Sequence, residues 1–253
     1  MRALALVLVF TLSPALVPSS SAAAVTDAQR AEAVRHYRNG EELMRQETFE
    51  LAVVEFRAAV KLDPAFVLAH YSMGQALMAL RRYPEAVDAF LGCKGAIEEF
   101  NALSLRDRGE AERRITDEVR DLKDHIAAIQ SGRIKTVSGN ATIISLEERV
   151  RVLEESRMRG AENRGAVPAE FSLALGSAYL RWGKLEDAER EYLAAIAVNP
   201  KLGAAHNNLA FVYMTTGRLD EAEKSIKLAE KSGFPVNPRF KDDLKKARAE
   251  AKP

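Results

Sequence analysis

Cysteine is almost absent. Cys93 stands alone among 253 residues, so neither an intramolecular disulfide nor a cysteine-based zinc cluster can form. Proline (9) and glycine (14) are few, while Ala, Leu, Glu, Lys and Arg abound, which favours helix. There is no excess of either charge. Lys plus Arg number 37 and Asp plus Glu 36, a net charge of +1 that lacks the electrostatic footprint of a nucleic-acid binder. Residues are 47% hydrophobic and 29% charged, which excludes wholesale disorder. No glycine-rich phosphate loop follows a strand, and neither Gly-x-Ser-x-Gly nor His-Glu-x-x-His occurs. The residues therefore point to no catalytic group and no cofactor, and a non-enzymatic chain is expected.

A long hydrophobic run occurs at the N-terminus. Ala3 to Phe10 is continuously apolar, and the apolar character extends to Val17 around Thr11, Ser13 and Pro14. Arg2 precedes the run; Ser19, Ser20 and Ser21 follow, then Ala22-Ala23-Ala24. This is the order of an export signal with a small-residue cleavage site, over residues 1–24. A membrane span needs roughly 18 or more apolar residues, and here about 15 are interrupted by Pro14. The expectation is an exported chain, periplasmic or secreted, starting near Val25 with no integral span after cleavage. An uncleaved anchor is the alternative.

The rest is organised by a period of 34 residues. Gly40 and Gly74 are one period apart, as are Gly176 and Ala210. Three after these anchors stand Leu43, Leu77, Tyr179 and Tyr213; nine after, Phe49, Tyr83, Leu185 and Leu219. Twelve after stand Ala52, Ala86, Ala188 and Ala222; sixteen after, Phe56, Phe90, Tyr192 and Ile226; nineteen after, Ala59, Cys93, Ala195 and Ala229. Pro64 and Pro200 close the first and third copies. The pattern resembles the tetratricopeptide repeat (TPR), whose units read Leu-Gly-x2-Tyr, Ala-x3-Phe and Pro at this period. The third copy, with Leu175-Gly176, Tyr179, Ala188, Tyr192 and Pro200, matches best. The large aromatic that opens the pattern is replaced by His36, His70, Ser172 and His206. The resemblance implies an all-α solenoid of helical hairpins. In it, Gly183 and Gly217 occupy tight turns, small residues mark close helix approach, and each copy stacks on the next because none buries its own face.

The middle of the chain breaks the pattern. Gly74 and Gly176 are 102 residues apart, three periods, but Arg108 and Thr142 stand at the intervening anchor positions, with Arg120 and Glu154 at the alanine slots. A helical-hairpin insert is expected over 101–166, with two eroded repeats as the alternative. Ser104 is expected to cap a helix running to about Gln130, with the stripe Ile115, Val119, Leu122, Ile126 and Ile129. Ser145 and Glu148 form a capping box for a second helix with Leu146, Val150 and Leu153 on one face. The longer helix should project beyond the solenoid or lie across it. The divisions expected are thus a TPR pair over 27–100, the insert, a second pair over 167–234, and a capping helix and tail over 235–253. In the last, Asn237 caps, Pro238 is the first helical residue, and Phe240, Leu244 and Ala247 face inward. Lys241, Asp242, Lys245 and Arg248 form its other side.

His36, His70 and His206 invite a zinc reading. Equivalent slots of stacked helices lie roughly 8–10 Å apart, too far for ligands that must all lie near 2 Å from one ion, so no metal is expected. His125 sits in a charged helix and is expected in solvent. Cys93 fills a small-residue slot as a buried thiol.

The candidate site is the inner groove. The resemblance implies that the first helix of each copy lines a concave surface. Slots three before, one after and four after the anchor share one face. They are Tyr37, Glu41 and Met44; Tyr71, Gln75 and Met78; Leu173, Ser177 and Leu180; Asn207, Phe211 and Met214. Tyr, Met and Phe there suit recognition of a polypeptide segment, unless the insert or the N-terminal helix covers them. Relatives that clamp the C-terminal carboxylates of heat-shock chaperones use Lys, Arg and Asn in these slots, and only Asn207 is of that type. The expected function is an exported adaptor or assembly factor that binds a protein or peptide. A second reading is a structural subunit forming a homo-oligomer through the hairpin at 104–160.

Overall fold

The computed structural model describes residues 25–106, 108–133 and 167–250, and parts of 143–154 (residues 143, 146, 147, 149–151, 153 and 154). The export segment 1–24, the capping-box residues Ser145 and Glu148, and the exit loop around 160–165 lie outside the described residues.

Ten bounded helices occur among the described residues, with no strand: α1 (Asp27–Arg45), α2 (Phe49–Leu62), α3 (Val67–Ala79), α4 (Tyr83–Arg106), α5 (Arg108–Gln130), α6 (Ala169–Trp182), α7 (Leu185–Val198), α8 (Gly203–Thr215), α9 (Leu219–Lys231) and α10 (Pro238–Glu250). Described residues between 143 and 154 are also helical. The all-α hairpin solenoid expected from the repeat is the fold observed. Thr26 starts α1 with a capping box: its hydroxyl accepts from the Gln29 amide at 3.2 Å, while Gln29 Oε1 accepts from the Thr26 amide at 2.9 Å.

Four hairpins, α1–α2, α3–α4, α6–α7 and α8–α9, share one turn. The amide eight residues after each anchor donates to the carbonyl three after it: Thr48 to Leu43 (3.0 Å), Arg82 to Leu77 (2.9 Å), Lys184 to Tyr179 (2.9 Å) and Arg218 to Tyr213 (2.8 Å). This closure puts the intervening residue in the left-handed region. Glycine serves in two copies, Gly183 (φ 80°) and Gly217 (φ 75°); Glu47 (φ 58°) and Arg81 (φ 59°) serve in the others.

The repeat slots are packing positions. All four alanines twelve after the anchors are fully buried, as are Ala59, Cys93, Ala195 and Ala229. A Cβ on Gly40 or Gly74 would stand 2.5 Å from the ring of Phe56 or Phe90, and one on Gly176 2.8 Å from Tyr192. In the fourth copy Ile226 replaces the ring and Ala210 replaces the glycine. Anchor and ring therefore covary within one chain because they share one space. At the copy junctions, Asp63 (φ −131°, ψ 93°) and Asn199 (φ −129°, ψ 90°) stop α2 and α7 in the extended geometry that a following proline demands.

The insert leaves the stack without breaking it. α6 packs on α4 as α3 packs on α2, so copies two and three are direct neighbours. Tyr71 meets Phe171 edge-on at 4.9 Å, and Lys94 of α4 pairs with Glu191 of α7 at 3.0 Å. The excursion starts by prolonging α4 to 24 residues, against 14 for α2. Ser104 lies inside α4 rather than capping a new helix; α4 is described to Arg106 and α5 from Arg108. The apolar spacing continues α4 past its repeat length, and a serine without a break in that pattern does not start a helix.

α5 then lies across the solenoid. Its whole stripe, Ile115 to Ile129, is buried in one cluster with Ala33 and Tyr37 of α1, Leu68 and Ala69 of α3, and Leu146, Val150 and Leu153 of the helical segment behind it. Lys123–Glu154 (2.8 Å) and Arg149–Glu118 (3.0 Å) tie that segment to α5. At the far end, Asn237 Oδ1 accepts from the Arg239 amide at 3.0 Å as α10 begins with Pro238, and Leu244 is buried. Lys241 and Arg248 reach back to α9 while staying exposed, pairing with Glu230 (2.8 Å) and Asp220 (2.7 Å), because the acidic side of α9 faces them.

Candidate functional site

The twelve groove positions separate into three environments. In the first copy, Tyr37 and Glu41 are buried beneath α5, and Met44 packs half-buried against the main core. Tyr37 Oη and His125 Nδ1 are 2.9 Å apart, Glu41 Oε2 lies 3.3 Å from the same nitrogen, and Arg38 reaches Asp124 at 3.7 Å. His125 is thus 8% exposed and not solvated. It sits three residues after Leu122 and four before Ile129, so it falls on the apolar stripe, a signal that the neighbouring charges obscured. Burial pushes the His125 imidazole down to about 4 and the Glu41 carboxyl up to about 7; at neutral pH the ring carries no charge.

In the second copy, Tyr71 lies between Phe90 (5.8 Å) and Phe171 (4.9 Å), at the junction with the third. Burial raises its hydroxyl well above the usual tyrosine range, with the nearby Gln75 opposing part of that rise. Met78 packs half-buried on the main core. These side chains hold copies together.

In the third and fourth copies the inner face carries no covering helix among the described residues. Leu173 and Leu180 are half-buried against the Ala188–Tyr192 cluster. Ser177 donates to the Leu173 carbonyl at 2.8 Å and receives Asn208 Nδ2 at 3.5 Å, while Asn207 reaches Asn208 at 3.3 Å. Met214 packs half-buried on the last cluster. Phe211 is 43% exposed, flanked by Phe240 of α10 at 6.1 Å. Trp182 at the end of α6 is 42% exposed, stacked on Tyr179 with ring centroids 6.5 Å apart and Lys184 over its face at 5.2 Å. Sequence reasoning missed Trp182 and Phe240. The lone tryptophan was a signal; the approach of Phe240 to Phe211 was not.

The histidines have separate jobs. His70 and His206 each place Nε2 2.9 Å from a proline carbonyl six residues back, Pro64 and Pro200, latching equivalent junctions. His36 pairs with Glu55 at 2.8 Å. Among the described residues no group of three or more His, Cys, Asp or Glu is placed to hold a metal ion. Cys93 is fully buried, and burial raises its thiol far above the usual range. No helix among the described residues is long and apolar enough to cross a membrane.

A family model described as tetratricopeptide repeat matches residues 37–98 and 173–235, the two pairs of hairpins. These segments are TPR repeats. The chain is similar to several solved structures, of which three illustrate the range. One is YrrB, a TPR protein with an unusual peptide-binding site (16% identity, 87% of this chain and 94% of that one, TM-score 0.30). Another is PilW, a widely conserved type IV pilus biogenesis factor (16%, 87% and 87%, 0.39). The third is TTC0263, a thermophilic TPR protein of Thermus thermophilus (20%, 86% and 99%, 0.35). No curated protein matches the chain. The TPR assignment rests on the matched segments and on the packing of the slots themselves.

Proposed function

We propose that this TPR chain is a non-enzymatic, exported adaptor or assembly factor that receives a polypeptide segment on the inner face of its second repeat pair. The observation that carries the reading is the contrast along that face: Tyr37 and Glu41 are covered by α5, whereas Phe211 remains exposed on α8. Phe211 supplies an aromatic anchor, Leu173, Leu180 and Met214 an adaptable apolar floor, and Asn207 a carboxamide for main-chain hydrogen bonds. Export is supported by the order of Arg2, the apolar run and Ala22-Ala23-Ala24. The oligomeric alternative loses its main support, because the stripe Ile115–Ile129 is buried within the chain.

The test is affinity capture from an envelope extract, repeated with Phe211→Ala. Truncating an aromatic anchor typically costs about 2 kcal/mol of binding. Capture should fall while helicity and melting stay as in the parent; equal capture would place binding elsewhere. The intact mass of envelope-purified protein should start near Val25, and a retained Met1 on cytosolic material would remove the export reading.

A further inference from the structure

A cavity of about 470 Å³ opens between the inner face of α1 and the C-terminal half of α5. Its size falls in the range of small-ligand sites, roughly 300–1,000 Å³. Val34 and Ala128 provide apolar wall, and Glu41 lines it beside Tyr37 and His125. Glu41 is 8% exposed. The Ser72 and Tyr37 hydroxyls favour its ionised form, but the buried Oε2 has no hydrogen-bond partner among the described residues.

Among the described residues no neighbouring cation pairs with that carboxyl. His125 Nδ1 is 3.3 Å from Oε2, but the same nitrogen already engages the Tyr37 hydroxyl at 2.9 Å, and the buried ring is neutral at pH 7. Arg38 is committed to Asp124 at 3.7 Å, Arg45 to Glu42, and Arg133 to the Ser131 hydroxyl at 3.1 Å. A buried carboxyl without a counter-charge is costly, and one at the wall of a cavity is placed to bind the missing charge.

We propose that the α1–α5 cavity binds a cationic group, an ammonium or a guanidinium, on the carboxylate of Glu41. Val34 and Ala128 then contact the methylenes that carry the cation, and the Glu41 carboxylate gains the counter-charge it lacks. The cation comes either as a free small amine or as a lysine or arginine side chain of a peptide. The inference is independent of the groove on the second pair, because this cavity lies where α5 covers the first.

Binding should be linked to protons. Burial holds the Glu41 carboxyl near 7 and that of Asp121, on the cavity wall, near 6. A bound cation lowers both, so binding at pH 7 should release protons. The other groups facing the cavity do not cancel this. The buried Tyr37 hydroxyl is shifted further above neutrality, and Glu42 and Asp124 already face Arg45 and Arg38.

Isothermal titration calorimetry on the full chain tests the proposal at pH 7 in two buffers of different ionisation enthalpy. The probes are agmatine and a short arginine peptide against its citrulline counterpart. The expected result is saturable binding with proton release, lost by at least about tenfold in Glu41→Gln, the usual worth of a hydrogen bond to a charge. Ala128→Phe, which fills the cavity and keeps Glu41, should block binding as well. Binding of agmatine identifies a free amine as sufficient; binding of the arginine peptide alone identifies a side chain. Absence of binding by both probes at millimolar concentration overturns the proposal. So do undiminished binding by a well-folded Glu41→Gln protein, undiminished binding by Ala128→Phe, or binding without proton exchange.

Discussion

The two repeat pairs carry the same slots but present different inner faces. On the first, Tyr37 and Glu41 are covered by a helix of the chain itself; on the second, Phe211 stays open to solvent. The repeat pattern is local, a rule about anchors, alanines and rings that each hairpin satisfies alone. What covers the pattern is a long-range matter. Apolar residues at the inner slots therefore have no single meaning: Tyr37 bonds to the insert, Tyr71 cements the junction between copies, and Phe211 is left over.

The largest way to break this contrast is Leu122→Glu. Leu122 is fully buried in the α5 stripe, and an unpaired charge there should cost about 3–5 kcal/mol. Denaturant unfolding should lose cooperativity, and hydrogen exchange should expose α1 around Tyr37 while α8 keeps its protection. A chain indifferent to the change would mean that α5 does not cover the first pair.

Next come the anchors. Gly74→Ala would set a Cβ against the Phe90 ring and should cost about 1–3 kcal/mol. Combining it with Phe90→Ile, the arrangement of the fourth copy, should recover part of that loss in the denaturant midpoint. Failure of the pair to couple would separate anchor from ring.

Glu41→Gln should act in the opposite direction and only on the first pair. The folded carboxyl titrates near 7 against an ordinary value of 4.5. Because its folded value is raised, the acid is tolerated in full below pH 4.5, and stability is lost as pH rises through 7. The amide should thus gain over the parent between those limits, by about 3 kcal/mol above them. Thermal melts from pH 4 to 8, on the order of one unit per step, check this. A constant difference would mean that Glu41 is not a buried acid.

The smallest effect separates the copies by their turns. Arg81 holds φ 59° where the third and fourth copies use glycine. Arg81→Gly should raise stability by about 0.5–1 kcal/mol, and Gly183→Arg should lower it by a similar amount. Equal midpoints would show that the left-handed residue bears no strain.

Much of the solenoid was readable because its slots recur. The alanines, rings and prolines were each placed by spacing, and the structure buries or caps with them as expected. The insert was readable only as stripes. Ile115 to Ile129 and Leu146 to Leu153 are buried, but Ser104 misled because a capping residue is recognised by the end of an apolar pattern, and α4 has none there. His125 misled because its flanking charges, Lys123 and Asp124, point elsewhere on the helix. Of the candidate groove, the sequence supplied the face but not its cover.

From the sequence alone came the all-α class, the four hairpins, the close-packed glycines and the helical stripe that needed a partner. All depend on contacts within about one repeat length, where helical periodicity and side-chain volume leave few solutions. The tertiary structure decided that copies two and three touch across the insert, that α5 folds back over α1, and that Glu41 is stranded beside a cavity. Those outcomes depend on which of several apolar surfaces a helix buries, and burial is non-directional, so residue spacing along the chain cannot choose among them.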